Sequence, residues 1–280
     1  MRTLALLLAV LAAPAHAQAP RASHCIAVAE APGVEFVQEA AYAGDLGPFA
    51  VRLHYIDHAM FLIETGGGAT AVTDYVGFIG ATDFFPDVAT MNRAHSSHWT
   101  SSPDPRIAHV MRGWEGPGQA VETGDLYVRN VPTDIRGSVF AEGQGGGAVR
   151  DGNSIYVFEA AGLCIGHLGH LHHVPDDAQY AALGRMDVVM APVDGGLTLP
   201  RAELVEVLET LRSQVVIPMH WFGRANLERF LSDMAGTFEV ERTGGPTLDL
   251  SLRDLPDRPT IVVLEPAWLV EPARPAAPSE

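Results

Sequence analysis

The sequence predicts an α/β fold, a sandwich of two mixed sheets flanked by helices, and three observations predict it. The first half is rich in short β-prone runs separated by glycine turns. The second half alternates continuous apolar runs with segments of helical period. The 280 residues are 47% hydrophobic and 19% charged, enough apolar material for a substantial core in one large domain or two small ones.

Taken in order, residues 49–55 and 59–64 read as strands and 70–73 as a third, with Gly66-Gly67-Gly68 as the turn before it. Residues 126–131 and 154–159 continue the pattern on either side of a glycine-rich, flexible connection at 142–147. The apolar runs 163–166, 186–190 and 215–218 read as buried strands. They alternate with helices at about 176–183, 200–212 and 224–234. Pro200 suits the first turn of the middle helix, and Leu204, Val207, Leu208 and Leu211 give it one apolar face. No period repeats along the chain.

The N-terminus carries Arg2, then about ten apolar residues, a break at Pro14 and the sequence Ala15-His16-Ala17. That is the pattern of a secretory signal peptide cleaved after Ala17. The run is shorter than the roughly 20 apolar residues of a membrane span, and no later segment looks transmembrane. The expected organisation is a signal over 1–17, one domain over 18–270 and a loose tail over 271–280, with the protein periplasmic or secreted. A formal charge of −16 leaves no basic surface to neutralise phosphates, which argues against nucleic-acid partners. The absence of lysine excludes Schiff-base chemistry and a P-loop lysine. A small-molecule substrate remains the natural partner; oligomeric state is not legible. Cys164, in the apolar run 162–165, reads as a buried inert thiol, and pairing with Cys25 is left open.

The chemistry gathers where strands end. Residues 88–92 lead into His95 and His98; 163–166 lead into His167, His170, His172 and His173; 215–219 lead into His220. Strand exits converge on one edge of a sheet and are rigidly placed, as a metal site requires. Imidazole is a ligand of zinc and other borderline metals. A lone His220 would read as a core histidine, and the 167–173 tract alone as a solvated loop; together they read as a metal centre.

These segments resemble the metallo-β-lactamase fold hydrolases, in particular the branch near the ascorbate-phosphate lactonase, over roughly residues 50 to 222. His58-Ala59-Met60-Phe61-Leu62-Ile63-Glu64 resembles the branch's Gly-His-Ala-x-x-Leu-Ile-Glu opening, and Ala71-Val72-Thr73-Asp74 its strand ending in aspartate. His167-Leu168-Gly169-His170-Leu171-His172-His173 resembles His-Leu-Gly-Asp-Leu-Gly-His, and the stretches 187–196 and 217–220 complete the match. The resemblance implies an αββα sandwich with metals at one edge.

The chain departs from the family's His-x-His-x-Asp-His signature, because the aligned residues are Arg93, His95, Ser97 and His98. His170 stands where a carboxylate bridges two metals, and no histidine occurs between His109 and His167. A neutral imidazole offers one lone pair and cannot bridge two cations. The expectation is therefore one divalent ion, zinc with iron or manganese as alternatives, held by His95, His98, His170 and His220. His167 is expected to support that loop or to replace His170 as ligand. Asp134 and Asp74 are candidates for orienting a water, His58 and Asp74 for orienting ligands or binding substrate, and Arg93 for binding substrate, with Arg93 also readable as a surface cation paired to an acid. The function expected is an exported hydrolase of a small ester, lactone, amide or phosphoester; the alternative is a degenerate member that binds metal or ligand without turnover.

Overall fold

A computed structural model describes residues 22–26, 46–137 and 148–271. The signal pattern at 1–17, the connection at 142–147 and the tail after Glu271 lie outside the described residues. The strands are β1 (Val51–Asp57), β2 (Met60–Thr65), β3 (Thr70–Val72), β4 (Gly80–Ala81), β5 (Val88–Met91), β6 (His109–Arg112), β7 (Ala120–Thr123) and β8 (Leu126–Arg136). They continue with β9 (Ala148–Ala160), β10 (Leu163–His167), β11 (Val188–Pro192), β12 (Val215–Met219), β13 (Glu239–Arg242), β14 (Thr247–Leu250), β15 (Thr260–Val263) and β16 (Leu269–Val270). The helices are α1 (Asp177–Leu183), α2 (Arg201–Leu211) and α3 (Arg224–Met234). None is long and apolar enough to cross a membrane.

Two mixed sheets face each other. One runs β14-β1-β2-β3-β5-β6 and the other β13-β15-β12-β11-β10-β9-β8-β7. Strand alternation builds the layers. Val188 and Met190 of β11, Val215 and Ile217 of β12, and Tyr156 and Phe158 of β9 point between the sheets, where they meet Phe61 and Ile63 of β2. The intervening Val189, Ala191, Val216, Ile155 and Val157 point outward to Leu204, Val207 and Leu208 of α2 and Leu227, Phe230 and Leu231 of α3. Because both faces of β10, β11 and β12 are covered, these strands are apolar without alternation, as parallel central strands are. The described helices lie on the outer face of the eight-stranded sheet. The outer face of the other sheet is closed by loops and the short β4–β16 pair, with Tyr75, Ile79, Ile107 and Leu269 over Met60, Leu62, Val72 and Met91.

Helix α1 starts in a capping box, Asp176 accepting from the Gln179 N–H and Gln179 returning the bond. It ends at Gly184, whose φ of 71° suits glycine and whose added Cβ would meet the Cys25 carbonyl oxygen at 2.5 Å. Cys25 is itself held in place by a covalent bond. Cys164 is not a free thiol: it forms a disulfide with Cys25, with Cα atoms 5.9 Å apart across 139 residues of sequence. Polar contacts hold the same segment, since Arg185 N donates to Cys25 O at 3.0 Å and His24 N to Glu159 at 3.0 Å. Glu159, fully buried, is paired with Arg129 at 2.9 Å, and Arg129 also donates to the last carbonyls of α1, on Ala182 and Leu183. The long closed loop makes the bridge a strong constraint on the unfolded chain. Replacing both cysteines by serine should lower stability by about 2–4 kcal/mol, read from the midpoint of chemical unfolding.

Candidate metal centre

The strand exits converge at one edge of the sandwich. His58 sits in the turn between β1 and β2, and Asp74 just beyond β3. Asn92, His95 and His98 follow β5, His167 ends β10 with His170 and His172 after it, Asp194 follows β11 and His220 follows β12. Four non-glycine residues at this edge take left-handed backbone: His58 (φ 51°), Asp74 (φ 41°), His220 (φ 56°) and Phe222 (φ 52°). Each such residue costs of order 1–3 kcal/mol and persists where the surroundings over-determine it, as at functional sites. Here the determinants are visible: His220 N donates to the His58 carbonyl at 2.8 Å, and the Tyr55 hydroxyl donates to the same oxygen at 2.8 Å.

The imidazoles meet nitrogen to nitrogen. His98 Nε2 lies 3.3 Å from His220 Nε2, and His95 Nε2 3.1 Å from His170 Nε2. His58 packs over His220 with ring centroids 3.9 Å apart, and its buried Nε2 has no hydrogen-bond partner. Ring nitrogens of His58, His95, His98 and His220 all lie within 4.8 Å of one another, close enough to hold one ion. His95 is the exposed member, so the cluster opens to solvent on its side.

Behind the inner nitrogens stand carboxylates. His98 Nδ1 pairs with Asp74 Oδ2 at 2.5 Å, and Asn92 donates to Asp74 Oδ1 at 2.9 Å. Burial pushes Asp74 up to about 6, which leaves it ionised at neutral pH and able to accept the His98 Nδ1–H. His220 Nδ1 donates to Asp194 Oδ2 at 2.9 Å. Burial opposes ionisation of Asp194, but the bonds from His220, the Thr198 hydroxyl and the backbone N–H groups of Thr198 and Gly196 outweigh it and hold the carboxyl well below its usual range. The Arg136 guanidinium fixes that loop by donating to the carbonyls of Gly196, Leu197 and Thr198. With both Nδ1 atoms turned to carboxylates, the Nε2 atoms of His98 and His220 face each other. Burial is the first cause lowering four of the imidazoles: it pushes His98 and His170 far down, His58 to about 3 and His172 to about 4, with neighbouring imidazoles adding to it and, at His172, Arg136 ahead of them.

The other expected residues separate. His167 has both ring nitrogens engaged by backbone, Nε2 with Ala59 O at 2.8 Å and Nδ1 with Gly169 N at 3.2 Å, so it anchors the loop and has no nitrogen left for an ion. Asp74 is buried with both oxygens bonded, to Asn92 and to His98 Nδ1, so of its two expected places it takes the one behind an imidazole and not the one beside a water. Asp134 sits at the irregularity between β8 and β9, where it accepts the Asp151 N–H at 2.9 Å, and it does not join the imidazole cluster. Arg93 is exposed, and among the described residues its side chain makes no ion pair with a surface acid. Sequence reading gave no role to Asp194, although it stands at a strand exit as the histidines do. It named His172 within the 167–173 tract without a role, although its Nε2 lies 2.7 Å from His170 Nδ1, and it missed Asn153, whose Oδ1 accepts the His170 N–H at 2.7 Å.

A cleft of two lobes reaches the cluster at His58 and Ser97. The larger lobe, about 570 Å³, is lined by Tyr55, Trp221, Phe222 and Pro266, with Arg224 neutralised by Glu265 at 3.1 Å. The smaller, about 190 Å³, is lined by Met60, Val76 and Trp268. Asp57 lines both lobes, and its carboxylate has no hydrogen bond or ion pair among the described residues.

Residues 52–220 match the family described as β-lactamase superfamily domain. The chain is 26% identical over 233 residues to a UPF0173 metal-dependent hydrolase of Opitutus terrae, covering 72% of this chain and 97% of the relative. It is 24% identical over 206 residues to a UPF0173 metal-dependent hydrolase of Methanoculleus marisnigri, covering 68% and 91%. Among solved structures it is similar to one from Thermotoga maritima described as a zinc-dependent hydrolase of the metallo-β-lactamase superfamily, with a TM-score of 0.54 and 27% identity, covering 77% of this chain and 98% of that one.

Gly169 ties the scaffold together. Its φ is 59°, and an added Cβ would lie 2.4 Å from Asn92 Nδ2 and 2.5 Å from Asn153 Oδ1, the two amides that position Asp74 and His170. Gly169→Ala combines a left-handed alanine with overpacking and should cost about 2–4 kcal/mol, measured by chemical unfolding. A cost below about 1 kcal/mol would mean that the two amides are not held as described.

Proposed function

The chain belongs to the metallo-β-lactamase superfamily, and from that footing we propose that it is a metal-dependent hydrolase with one divalent ion, zinc before iron or manganese, acting on a small uncharged ester, lactone or amide. The observation that carries this is the pair of Nε2 atoms of His98 and His220 facing each other 3.3 Å apart with a carboxylate behind each ring. Two neutral acceptors at that distance repel unless a cation lies between them. Nitrogens bound to a tetrahedral ion at ~2.0–2.1 Å stand about 3.3–3.4 Å apart, so the spacing fits a zinc-sized ion. Neutral imidazoles and hard-wired Nδ1–H donors are the donor set such an ion takes. His95, His98 and His220 would hold it, with a fourth imidazole from His58 or His170.

When bound, the ion supplies a Lewis acid for a carbonyl oxygen and lowers the pKa of water towards about 7. The chain supplies the rest. Asp74 and Asp194 fix the tautomers of His98 and His220. Trp221, Phe222 and Trp268 give apolar walls for a substrate's non-reacting part, and Asp57 is the carboxylate left open to accept a proton from water in the cleft. A phosphoester is the poorer fit, since the one arginine of the cleft is already paired. Export to the periplasm or beyond is supported by the signal pattern at 1–17 and by the Cys25–Cys164 disulfide, a bond of oxidising compartments. A second reading, binding without turnover, is favoured by one observation: Ser97 stands in the aspartate position of the family signature and cannot act as a base.

Protein purified without added metal should carry about one equivalent of divalent ion and lose it to a chelator. Two equivalents, or none after loading, would sink the single-ion reading. Asp194→Asn should weaken metal affinity about 10–100-fold, measured by chelator competition. Metal-loaded protein should hydrolyse members of an ester and lactone panel in preference to phosphodiesters; inactivity across the panel would establish the binder instead. Trp221→Ala should raise KM about tenfold with little change in kcat, the signature of lost uniform binding.

A further inference from the structure

The fourth imidazole is decided by hydrogen-bond direction. A backbone N–H can only donate, and Arg136 N lies 2.7 Å from His172 Nδ1, so that nitrogen is an acceptor. A neutral His172 then carries its proton on Nε2, which lies 2.7 Å from His170 Nδ1 and donates to it. His170, accepting at Nδ1, carries its own proton on Nε2, the nitrogen 3.1 Å from His95 Nε2. The inner nitrogen of His170 is thus an N–H aimed at His95 Nε2; it has no lone pair to give an ion, and an ion bound by His95 Nε2 takes the place of that contact. His58 is the converse case. Its Nε2 is buried and unpartnered, its ring lies against His220, and it is the fourth member of the group within 4.8 Å of mutual reach.

We propose that His58, and not His170, completes the ligand set with His95, His98 and His220, and that His170 faces the site as a hydrogen-bond donor wired through His172 to the Arg136 backbone. This rests on the metal reading above. It explains why a histidine sits where the family signature has a bridging carboxylate: the position has changed from acceptor to donor. It also explains the left-handed backbone at His58, which turns the ring from the β1–β2 turn over His220. A donor at that edge is suited to the oxygen of a polarised carbonyl, as oxyanion-binding groups are.

The test is metal retention by the full chain. Wild type, His58→Phe, His95→Phe and His170→Phe are loaded with cobalt(II), and affinity is read by chelator competition and coordination by visible absorption. Phenylalanine keeps ring volume and removes both nitrogens, and circular dichroism with thermal unfolding reports folding separately. His170→Phe should keep one equivalent, a wild-type-like cobalt spectrum and affinity within about tenfold. His58→Phe should lose at least about 100-fold, as His95→Phe does, and change the spectrum. Should phenylalanine at 170 unfold the chain, His170→Gln carries the same expectation. Loss of metal from the folded His170 variant, or full retention by His58→Phe, overturns the assignment while leaving the metal reading intact. A wild type that takes up no cobalt overturns both.

Discussion

Everything at the histidine edge depends on two imidazole nitrogens held face to face. His98 and His220 cannot relax apart, because Asp74 and Asp194 grip their outer nitrogens and are themselves tied down. Asn92 holds Asp74 and reads the β9 backbone by bonding both polar groups of Ser154, at 2.7 and 3.4 Å. Asp194 is held by three backbone N–H groups and by Thr198, within a loop clamped by Arg136. Each imidazole is therefore linked to a different sheet, β5 of one and β12 of the other, and their contact forms only when the sheets are stacked in register. The inner core of Phe61, Ile63, Tyr156, Phe158 and Met190 sets that register.

The arrangement is costly in isolation. It places buried carboxylates, neutral imidazoles and left-handed residues together, and each is stable only through its neighbours. The offset comes from elsewhere in the fold. The two apolar layers are continuous, and Cys25 and Cys164 lock the segment at 22–26 to β10, away from the histidine edge. Rigidity behind the site and strain within it are two aspects of one design. A preorganised cluster binds an ion without reorganising, and preorganisation must be maintained by packing the ion does not touch.

Much of this was legible in the sequence. The apolar runs that become β2, β10 and β12 bury both faces and announce themselves by composition alone, and α2 and α3 by period. The run at 186–190 signalled β11 two residues early, because Met186 and Asp187 are as buried as the strand they precede. The exposed strands β7 and β13 carry no such signal, since edge strands alternate weakly and are charged. The histidines were visible as residue types at strand exits. Their directions were not, because a tautomer is set by what lies behind the ring. His172 matters only through the Arg136 N–H, and Asp194 only through His220, contacts between residues 36 and 26 apart in sequence. The disulfide was hidden for the same reason: Cys164 has the apolar surroundings of an inert thiol, and Cys25 reaches it from 139 residues away.

Charge balance gives an independent reason to think in terms of one ion. The carboxylates bonded directly to the clustered rings are Asp74 and Asp194. One divalent cation would be matched by those two negative charges. A second would leave two positive charges uncompensated in a largely buried site, which costs several kcal/mol per ion even after relaxation. The family signature supplies that compensation through an inner aspartate and a bridging carboxylate; here those positions are Ser97 and His170. The two replacements are then one change seen twice. On the single-ion proposal, losing the carboxylates would leave a second ion uncompensated, and the N–H proposed for His170 would fit beside the first.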